Sequence, residues 1–256
     1  MKTIVIIPAR LNSSRLPNKV LLDLKGKTVI QRVYEQCLKA NNIDAVYIAT
    51  DSTKVMTVCK EFTKNVIITQ NSHESGTDRI AEAASKLEAD IVINVQGDEP
   101  FIEPELIEQI ADSFKEDNTL QMSSAMHRIT QVDELKNPNV VKVTVTHDNY
   151  ALYFSRSIIP HHRDDWDTLL NHHINIPEAL NFYRHLGIYG YSKEFLLHFS
   201  KMEQGYLERL EKLEQLRALE NGFNIKMIET SYESIGIDTQ ADYERALNLL
   251  TNNVTL

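Results

Sequence analysis

The chain has 256 residues, of which 42% are hydrophobic, and this is enough to build the core of one large α/β domain or of two small ones. Its formal net charge of −9 argues against nucleic acid as a bulk partner, because binding to a phosphate backbone normally needs a basic surface. The longest apolar stretches, such as residues 91–93, fall far short of the ~20 residues of a membrane span, and no charged-then-apolar leader precedes Thr3. We therefore expect a cytoplasmic protein whose ligands are small molecules.

The two cysteines, Cys37 and Cys59, both fall inside helix-like stretches. Two thiols at this spacing do not make a disulfide framework or a thiolate metal site. We interpret them as packing residues.

The first half of the chain alternates short β-rich apolar runs with helical patterns. Strands are predicted at 3–7, 44–49, 65–68, 90–95 and 121–126, and helices near 28–40, 53–63, 77–88 and 104–116. This alternation is typical of βαβ units, so we predict an α/β fold with a mostly parallel, Rossmann-like sheet. Such sheets bind ligands at the carboxyl ends of their strands, where the loops 8–19, 69–77 and 96–100 are expected to meet.

The second half is less regular. Strands are predicted at 140–146, 150–155, 185–191 and 224–229, around a polar insert at 161–183 whose composition suggests a long mobile loop or lid. Leucines at regular spacing predict one amphipathic helix near 206–221, with glutamates on a solvated face and pairs such as Glu208 with Lys212. No linker or repeat separates the halves, so we predict one compact unit without a sharp domain boundary.

The first loop, PARLNSSRLPNK at 8–19, is basic in an acidic protein. Arg10, Arg15 and Lys19 can contact phosphate oxygens, and Ser13 and Ser14 add further donors, which together suit a triphosphate better than a single carboxylate. The loop lacks the glycines of a Walker motif. The alternative is that its cations form ion pairs with acidic neighbours.

Two aspartates follow apolar runs at positions suited to a hard cation. Asp98 stands in NVQGDEP (94–100), after Gly97 at a predicted tight turn, and Asp238 stands in SIGIDT (234–239). Mg²⁺ is usually held by one or two carboxylates together with substrate phosphates, so the pair would meet that requirement if the fold brings them together. The alternative for each aspartate is a helix cap.

The stretch HESGTDR (73–79) combines Gly76, which permits close backbone approach, with Ser75 and Thr77, which can hydrogen-bond a ribose or a base. The same letters also describe an ordinary helix start.

Polar residues of the second half suggest a wall for a polar ligand. Alternation along 185–191 puts His185, Gly187, Tyr189 and Tyr191 on one face of a strand, with Arg156 and Arg163 as further candidates. Zinc binding is a competing interpretation for the histidines at 161, 162, 172 and 173, but they form adjacent pairs rather than the helical i, i+4 pair.

Taken in order, these motifs resemble the 3-deoxy-manno-octulosonate cytidylyltransferase family, also called CMP-Kdo synthetases, over nearly the whole chain. No single motif decides the resemblance, but the ordered set is specific. The matching stretches are PAR–RLP-K (8–19), ATD (49–51), HESGTDR (73–79), NVQGDEP (94–100), NPNVVKV (137–143), ALYFSR (151–156), HLGIYGY (185–191), LEKLEQLRALENG (210–222) and the Asp-Thr of GIDT (236–239).

The resemblance implies an enzyme that joins CTP to the sugar acid 3-deoxy-manno-octulosonate (Kdo), giving CMP-Kdo and pyrophosphate with Mg²⁺, for lipopolysaccharide or capsule synthesis. It implies a cytoplasmic homodimer with an α/β nucleotidyltransferase domain and a smaller, mixed subdomain for sugar binding and dimerisation. Over the single domain 1–256, the nucleotide-binding half would take roughly 1–127, the sugar-binding and dimerisation part 128–229, and 230–256 would return to the first half.

Position by position, the resemblance also implies roles. The catalytic residues implied are Arg10, Arg15, Lys19 and Asp98, and the metal ligands are Asp98 and Asp238. The nucleotide would be bound by Pro8, Ala9, Arg10, Ser13, Arg15, Lys19, Ser75, Gly76 and Thr77. The sugar would be bound by Gln96, Arg163, His185, Tyr189, Glu214 and Gln215.

The chain departs from the family pattern at Asn18, where a glycine is usual, and at Gln70, where many members have an arginine. The insert 161–183 could alter which sugar acid fits. The alternatives are therefore the same reaction on a related sugar acid, such as 8-amino-3,8-dideoxy-Kdo, or a non-catalytic nucleotide-binding homologue. Sialate activation is disfavoured, since the first loop of that family is rich in glycine and lysine.

Overall fold

The structure of the chain is a computed structural model, and it describes residues 1–11, 15–73, 75–233 and 235–252. The chain divides into two compact units. Unit 1 comprises Met1–Asn118, Ile188–Ser200 and the chain from Glu233 onward, and unit 2 comprises Thr119–Gly187 and Lys201–Tyr232. This division assigns Ile188–Ser200 to unit 1, whereas the sequence placed those residues in the sugar-binding part. The prediction that the whole chain forms a single domain stays a prediction.

Unit 1 contains an α/β sheet in the order β3-β2-β1-β4, with all four strands parallel. Its strands are β1 (Thr3–Pro8), β2 (Ala45–Thr50), β3 (Val66–Ile68) and β4 (Ile91–Asn94), and its helices are α1 (Val29–Cys37), α2 (Thr53–Cys59), α3 (Gly76–Ser85), α4 (Pro104–Glu116), α7 (Lys193–Phe199) and α10 (Gln240–Asn252). Antiparallel to β4 lies the end of a fifth strand, residues 188–192 of β8 (Tyr183–Ser192).

The register of this sheet aligns the carboxyl ends of its strands. In β1, Ile4 pairs with Ala45 of β2 on one side and with Val92 of β4 on the other. The residues of β1 from Ile4 to Ile7 are fully buried, as expected of a central parallel strand covered on both faces. The loops that leave β1, β3 and β4 therefore emerge at one edge, as the sequence predicted.

Three helices of unit 1 begin where the sequence supplies a capping hydroxyl. Thr28, Ser52 and Ser75 each accept a hydrogen bond from the backbone N–H three residues further on, at the starts of α1, α2 and α3. The two cysteines lie inside this layer, as interpreted, and burial raises the pKa of both thiols, that of Cys59 to about 12.

Unit 2 is a mixed assembly around its own core. It contains β5 (Met122–Arg128), β6 (Lys142–Val145), β7 (Ala151–Ser155), residues 183–187 of β8, β9 (Ile225–Glu229), and the helices α5 (Val132–Lys136), α6 (Trp166–His172), α8 (Tyr206–Glu211) and α9 (Leu216–Glu220). β5 and β9 are parallel, whereas β6 is antiparallel to both β7 and β8. The predicted α/β fold with a mostly parallel sheet and a mixed second part is confirmed.

The polar insert 161–183 is not a long loop, and that prediction is wrong. It contains helix α6, and its Leu169, Ile176 and Phe182 are buried in one cluster with Ile129 and Val132. The apolar residues of this segment are spaced too irregularly among polar ones to predict a helix, yet Leu169, Ile176 and Phe182 pack in the cluster that also contains Val132 and Leu135 of α5.

The prediction of a single helix near 206–221 is also wrong. The chain forms α8 and α9 instead, and α8 ends at Lys212, whose φ of 56° is left-handed. Glu208 is 5% exposed, and its carboxylate accepts hydrogen bonds of 2.7 and 2.6 Å from Nε and Nη2 of Arg217, which is also buried. The predicted surface pair of Glu208 with Lys212 is therefore replaced by a buried pair that joins the two short helices.

Candidate active site

A cavity of about 320 Å³ lies at the carboxyl edge of the unit 1 sheet. Its walls come from the loop after β1, the start of α3, the loop after β4 and the chain before α10. The lining residues are Pro8, Arg10, Arg15, Lys19, Val20, Gly76, Gln96, Gly97, Asp98 and Asp238. We call it the strand-end cavity, and it brings together three basic and two acidic residues that the sequence predicted as site residues.

Lys19 connects the two aspartates of this cavity. Its Nζ donates to Asp238 Oδ1 at 2.8 Å and to Asp98 Oδ2, and Arg15 Nη2 lies 3.2 Å from Asp238 Oδ2. Burial acts to lower the pKa of Lys19, but the charges and hydrogen bonds of Asp98 and Asp238 outweigh it, so the pKa lies above its ordinary value of 10.5. The ammonium is therefore held charged between the two carboxylates.

The tertiary structure brings Asp98 and Asp238 together across 140 residues of chain. Leu16 and Ile237 are buried in one cluster, and the backbone N–H of Ile237 donates to the carbonyl of Asp98 at 2.9 Å. These contacts of the neighbouring residues aim Arg15, Asp98 and Asp238 into one space.

Neither aspartate is a helix cap, so that alternative is wrong for both. α4 begins at Pro104 after Glu103, six residues past Asp98. At α10 the hydroxyl of Thr239 accepts from the N–H of Asp242, and the Asp242 carboxylate accepts from the N–H of Thr239. The Asp98 and Asp238 side chains remain directed at Lys19.

The structure explains the unusual Asn18. Its φ of 55° and ψ of 24° are left-handed, immediately before the short 3₁₀ turn Lys19–Leu21 that carries the lysine. Glycine adopts this conformation without steric cost, and asparagine is among the few other residues that tolerate it. The departure from glycine therefore keeps the backbone that orients Lys19.

Gly97 lines the strand-end cavity, and its backbone lies close to Pro8 at the end of β1. A Cβ added there would stand 2.7 Å from the carbonyl oxygen of Pro8, whereas a Cβ added at Gly76 would meet only the Pro8 ring at 3.6 Å. Because a backbone atom cannot move aside as a flexible side chain can, the loops after β1 and β4 would have to separate.

We expect Gly97→Ala to lower the free energy of unfolding by about 1–3 kcal/mol, the usual cost of overpacking. Gly76→Ala is the matched control, since its added methyl group makes only ordinary contacts. Urea unfolding of both variants measures the difference, and equal stabilities would contradict the assigned role of Gly97.

A second cavity, of about 370 Å³, lies beside the first at the ends of β2 and β3. Arg10 lines both cavities, and the other lining residues here are Leu11, Asp51, Ser52, Asn71, His73 and Arg79. We call it the β2–β3 cavity. Asp51 and Arg79 end the motifs ATD and HESGTDR, but the sequence predicted no role for either residue. The position of Asp51 after β2 matches that of Asp98 after β4.

The predicted nucleotide-binding residues have structural roles as well. The Ser75 hydroxyl accepts from the N–H of Asp78 at 3.0 Å and the Asp78 carboxylate accepts from the N–H of Ser75, so the helix-start interpretation of SGTD is confirmed. Ala9 and Thr77 are buried, and Ala9 N–H donates to the carbonyl of Ala49. Ser13 lies outside the described residues.

The predicted sugar-binding residues are divided between the units. In unit 1, Gln96 lines the strand-end cavity and Tyr189 pairs with Asn94 of β4. Tyr191 was placed on the same ligand wall, and this is wrong, because it is 1% exposed and its ring packs against Phe195 and Phe199.

In unit 2, the structure brings two of the predicted sugar residues together. Gln215 Nε2 lies 3.4 Å from Nδ1 of His185, whose Nε2 lies 2.8 Å from the Ser124 hydroxyl. Glu214 stands beside Gln215, with its Oε1 3.8 Å from Arg217.

Arg163 is exposed just before α6, and Arg156 donates from Nε to the carbonyl of Glu211. The described residues contain no group of three His, Cys, Asp or Glu placed to share a metal ion.

His185 is partly buried among these groups, and desolvation lowers its pKa from 6.5 to about 3. The unfolded chain therefore binds a proton near pH 6.5, whereas the folded chain does not. Stability is complete above that pH and decreases as the pH falls below it, by about 1.4 kcal/mol per pH unit.

We expect the protein to lose about 2 kcal/mol of unfolding free energy between pH 7.5 and pH 5 through this residue. A His185→Gln variant keeps hydrogen-bonding groups but cannot titrate, so it should lose less. Urea unfolding at the two pH values tests this, and identical losses in both proteins would contradict it.

Residues 4–231 match the cytidylyltransferase family. The 3-deoxy-manno-octulosonate cytidylyltransferase of Geotalea daltonii is 45% identical over 98% of this chain and 98% of its own. The chain belongs to this family. The corresponding enzymes of Fusobacterium nucleatum and Flavobacterium johnsoniae are 41% and 45% identical, over 99% and 98% of this chain and 98% and 99% of theirs. The resemblance drawn from the sequence motifs is confirmed.

Solved structures agree with this membership of the 3-deoxy-manno-octulosonate cytidylyltransferase family. A CMP:2-keto-3-deoxy-manno-octonic acid synthetase complexed with CTP is 39% identical, with a TM-score of 0.91 over 99% of this chain and 100% of that one. A 4-diphosphocytidyl-2C-methyl-D-erythritol synthase from Anaerococcus prevotii is 13% identical, with a TM-score of 0.61 over 98% and 96% of the two chains, and it shows the fold alone. None of the helices that the structure describes combines the length and apolar character that a membrane span needs.

Proposed function

We propose that this protein is a Mg²⁺-dependent cytidylyltransferase that joins CTP to Kdo, giving CMP-Kdo and pyrophosphate. Membership of the family supports the reaction, and one observation supports its location. Arg15 and Lys19, which can bind phosphate, meet Asp98 and Asp238 in the same strand-end cavity. This is the set of charges that nucleotidyl transfer requires.

The triphosphate would lie in the strand-end cavity, and the nucleoside would extend towards the β2–β3 cavity. Arg10 lines both cavities and so marks the path between them. Arg15 and Lys19 offer positive charge to the phosphates, and a triphosphate competes for them with the aspartates they now contact. The loop cations therefore serve both as ion-pair partners and as an anion site.

The carboxylates fit a magnesium ion. Asp98 and Asp238 already converge on one cation, the ammonium of Lys19, so their oxygens can face a common charge. Mg²⁺ is usually bound by one or two carboxylates plus substrate phosphates, and this pair would provide the carboxylate share. When bound, the ion would neutralise charge on the α-phosphate and lower the pKa of the attacking hydroxyl.

In the reaction, the anomeric hydroxyl of the sugar forms a bond to the α-phosphorus of CTP. The bond between that phosphorus and the bridging oxygen of the β-phosphate breaks, pyrophosphate leaves with the bonding electrons, and the hydroxyl proton passes to solvent. Such chemistry depends on in-line placement and on positive charge over the leaving oxygens. Arg15 and Lys19 would stabilise the pyrophosphate as it departs.

The sugar acid would be bound by residues that the resemblance assigns to the sugar. A carboxylate calls for a donor fork, which Arg163 can provide, and hydroxyl groups call for neutral partners. In unit 2, His185, kept neutral by its low pKa, and the neighbouring Gln215 supply such partners. The resemblance implies Gln96, Tyr189 and Glu214 as further sugar-binding residues. Which sugar acid fits is decided by these residues rather than by the triphosphate loop.

A pyrophosphate-release assay tests the proposal. We expect release from CTP plus Kdo with Mg²⁺ and none when the metal is chelated. A higher rate with 8-amino-3,8-dideoxy-Kdo would assign the related sugar acid instead. CTP binding without turnover on any sugar acid would identify a non-catalytic homologue.

We also propose that the protein is a cytoplasmic homodimer. Four large apolar side chains of unit 2, Leu152, Ile174, Tyr206 and Leu210, are 61%, 81%, 67% and 66% exposed, and a subunit contact would remove such apolar area from water. Light scattering is expected to give twice the mass of one chain, and a monomer at micromolar concentration would contradict the proposal.

A further inference from the structure

Arg79 is the most deeply buried cation that unit 1 contains within the described residues, at 1% exposure. It projects from the first turns of α3 towards the carboxyl ends of two strands. Nη2 donates to Asp51 Oδ2 at 2.9 Å, after β2, and Nη1 donates to the Thr69 hydroxyl and, at 3.4 Å, to the carbonyl of Gln70, after β3. One guanidinium therefore joins the helix to both strand ends.

These contacts fix the walls of the β2–β3 cavity. Arg79 and Asp51 both line it, and Asn71 and His73 belong to the segment that Arg79 holds at Thr69 and Gln70. One turn further along α3, Glu82 holds the same segment from a second point.

Glu82 accepts hydrogen bonds from the N–H of Gln70 at 2.8 Å and contacts His73 Nε2 at 2.6 Å. Burial alone would raise the pKa of Glu82, but its bonds to Lys86, Gln70 and His73 outweigh this and lower the pKa to about 2. The carboxylate therefore stays charged, and the 69–73 segment is held to α3 by two charged side chains.

Stability alone does not account for a guanidinium at this position. Removing a charge from water is costly, and a buried ion pair is often no more stabilising than well-packed apolar residues of the same volume. Arg79 Nε is buried and has no hydrogen-bond partner among the residues that the structure describes, which adds to the cost. The arrangement keeps a rigid, directional contact at the expense of folding energy, as supporting residues of binding sites do.

We infer that Arg79 is a positioning residue for the nucleotide, which holds Asp51 and the 69–73 segment in the geometry that receives the nucleoside of CTP. The inference rests on the proposed function. It does not require Arg79 to touch the nucleotide, because its donors are directed at Asp51, Thr69 and Gln70. Loss of the Arg79 guanidinium would displace the walls of the β2–β3 cavity.

Three variants test this role by isothermal titration with CTP and by steady-state kinetics. Arg79→Met removes the charge and keeps the bulk, Arg79→Lys keeps a charge but loses the fork, and Asp51→Asn keeps the shape of the carboxylate partner. We expect Arg79→Met to weaken CTP binding by about 10²-fold, as small displacements of a positioning group do. Arg79→Lys should recover part of the loss, and Asp51→Asn should weaken binding in the same direction.

Comparing the KM for CTP with the KM for Kdo separates a positioning role from a general structural effect. The KM for CTP is expected to rise, while the KM for Kdo stays within about threefold of the original value. Arg217→Met is the matched control. It removes an arginine of 5% exposure that is paired with Glu208, lies in unit 2 and lines neither cavity. It should lower the melting temperature without weakening CTP binding.

The results that would overturn the inference are specific. If Arg79→Lys and Asp51→Asn are folded and bind CTP as tightly as the original protein, Arg79 has no positioning role. The same conclusion follows if Arg217→Met weakens CTP binding as much as Arg79→Met does. If the original protein itself fails to bind CTP, the proposed function falls together with this inference.

Discussion

Replacing Asp98 by asparagine is expected to reduce kcat for CTP and Kdo by about 10²–10³-fold, the usual loss when a charge-stabilising group of an active site is removed. Asn keeps the size of the side chain but cannot neutralise a cation. Asp98 contacts the Lys19 ammonium and follows directly on Gly97, whose backbone is packed against Pro8. The substituted side chain therefore stays in place while its charge is lost.

The measurement is pyrophosphate release together with urea unfolding. Asp112→Asn is the control, since Asp112 is a half-exposed aspartate of the same unit that pairs with Lys115 at 2.7 Å, accepts a hydrogen bond from Asn42 and lines neither cavity. Exposed pairs contribute about 0–1 kcal/mol, so this variant should keep its activity. Near-normal turnover of Asp98→Asn, and of Asp238→Asn beside it, would show that the two carboxylates do not bind the catalytic metal.

Replacing Lys19 by methionine should have an effect of similar size, because it removes the phosphate-binding charge and leaves the aspartates without their shared partner. The Lys19 side chain is 12% exposed, so the charge acts in a partly desolvated place where water screens it less than at the surface. We expect kcat/KM for CTP to fall by about 10²-fold or more. Methionine preserves most of the length and bulk of the side chain.

Lys27→Met is the matched control for this variant. Lys27 pairs with Glu35 at 2.6 Å and its side chain is 43% exposed, so the pair is largely screened by solvent. The control should keep kcat/KM, while Lys19→Met should also bind CTP more weakly in a titration without sugar acid. Unchanged CTP affinity in Lys19→Met would remove Lys19 from the triphosphate site.

The sequence by itself determined the fold class and the positions of most strands. The apolar runs at 3–7, 44–49, 65–68 and 90–95 correspond to β1–β4. In the central strands β1 and β4 the reason is that a strand covered on both faces needs continuous apolar residues. The helical patterns between these runs located α1, α2 and α3, and SGTD was interpreted as a possible start of α3. The same local rules placed Arg10, Asp98 and the SGT motif near one edge, since parallel strands end together.

Periodicity failed where tertiary contacts outweighed local pattern. Leucine spacing predicted one helix near 206–221, but Glu208 and Arg217 form a buried pair that is made only when the chain breaks at Lys212. In the same way, the polar insert forms α6 because Leu169 packs into a cluster with Ile129 and Val132, which lie far from it in the sequence. A local pattern cannot show which distant partner a side chain will meet.

The composition of the site was decided by the tertiary structure. Leu16 packs with Ile237, and the Ile237 N–H binds the carbonyl of Asp98, so two aspartates that are 140 residues apart face one lysine. The contacts of Arg79 could not be predicted from the sequence for the same reason, because its partners Asp51 and Thr69 follow two different strands. The residue types were visible in the sequence, but their charges interact only at the distances that packing sets, and those distances depend on contacts far apart in the chain.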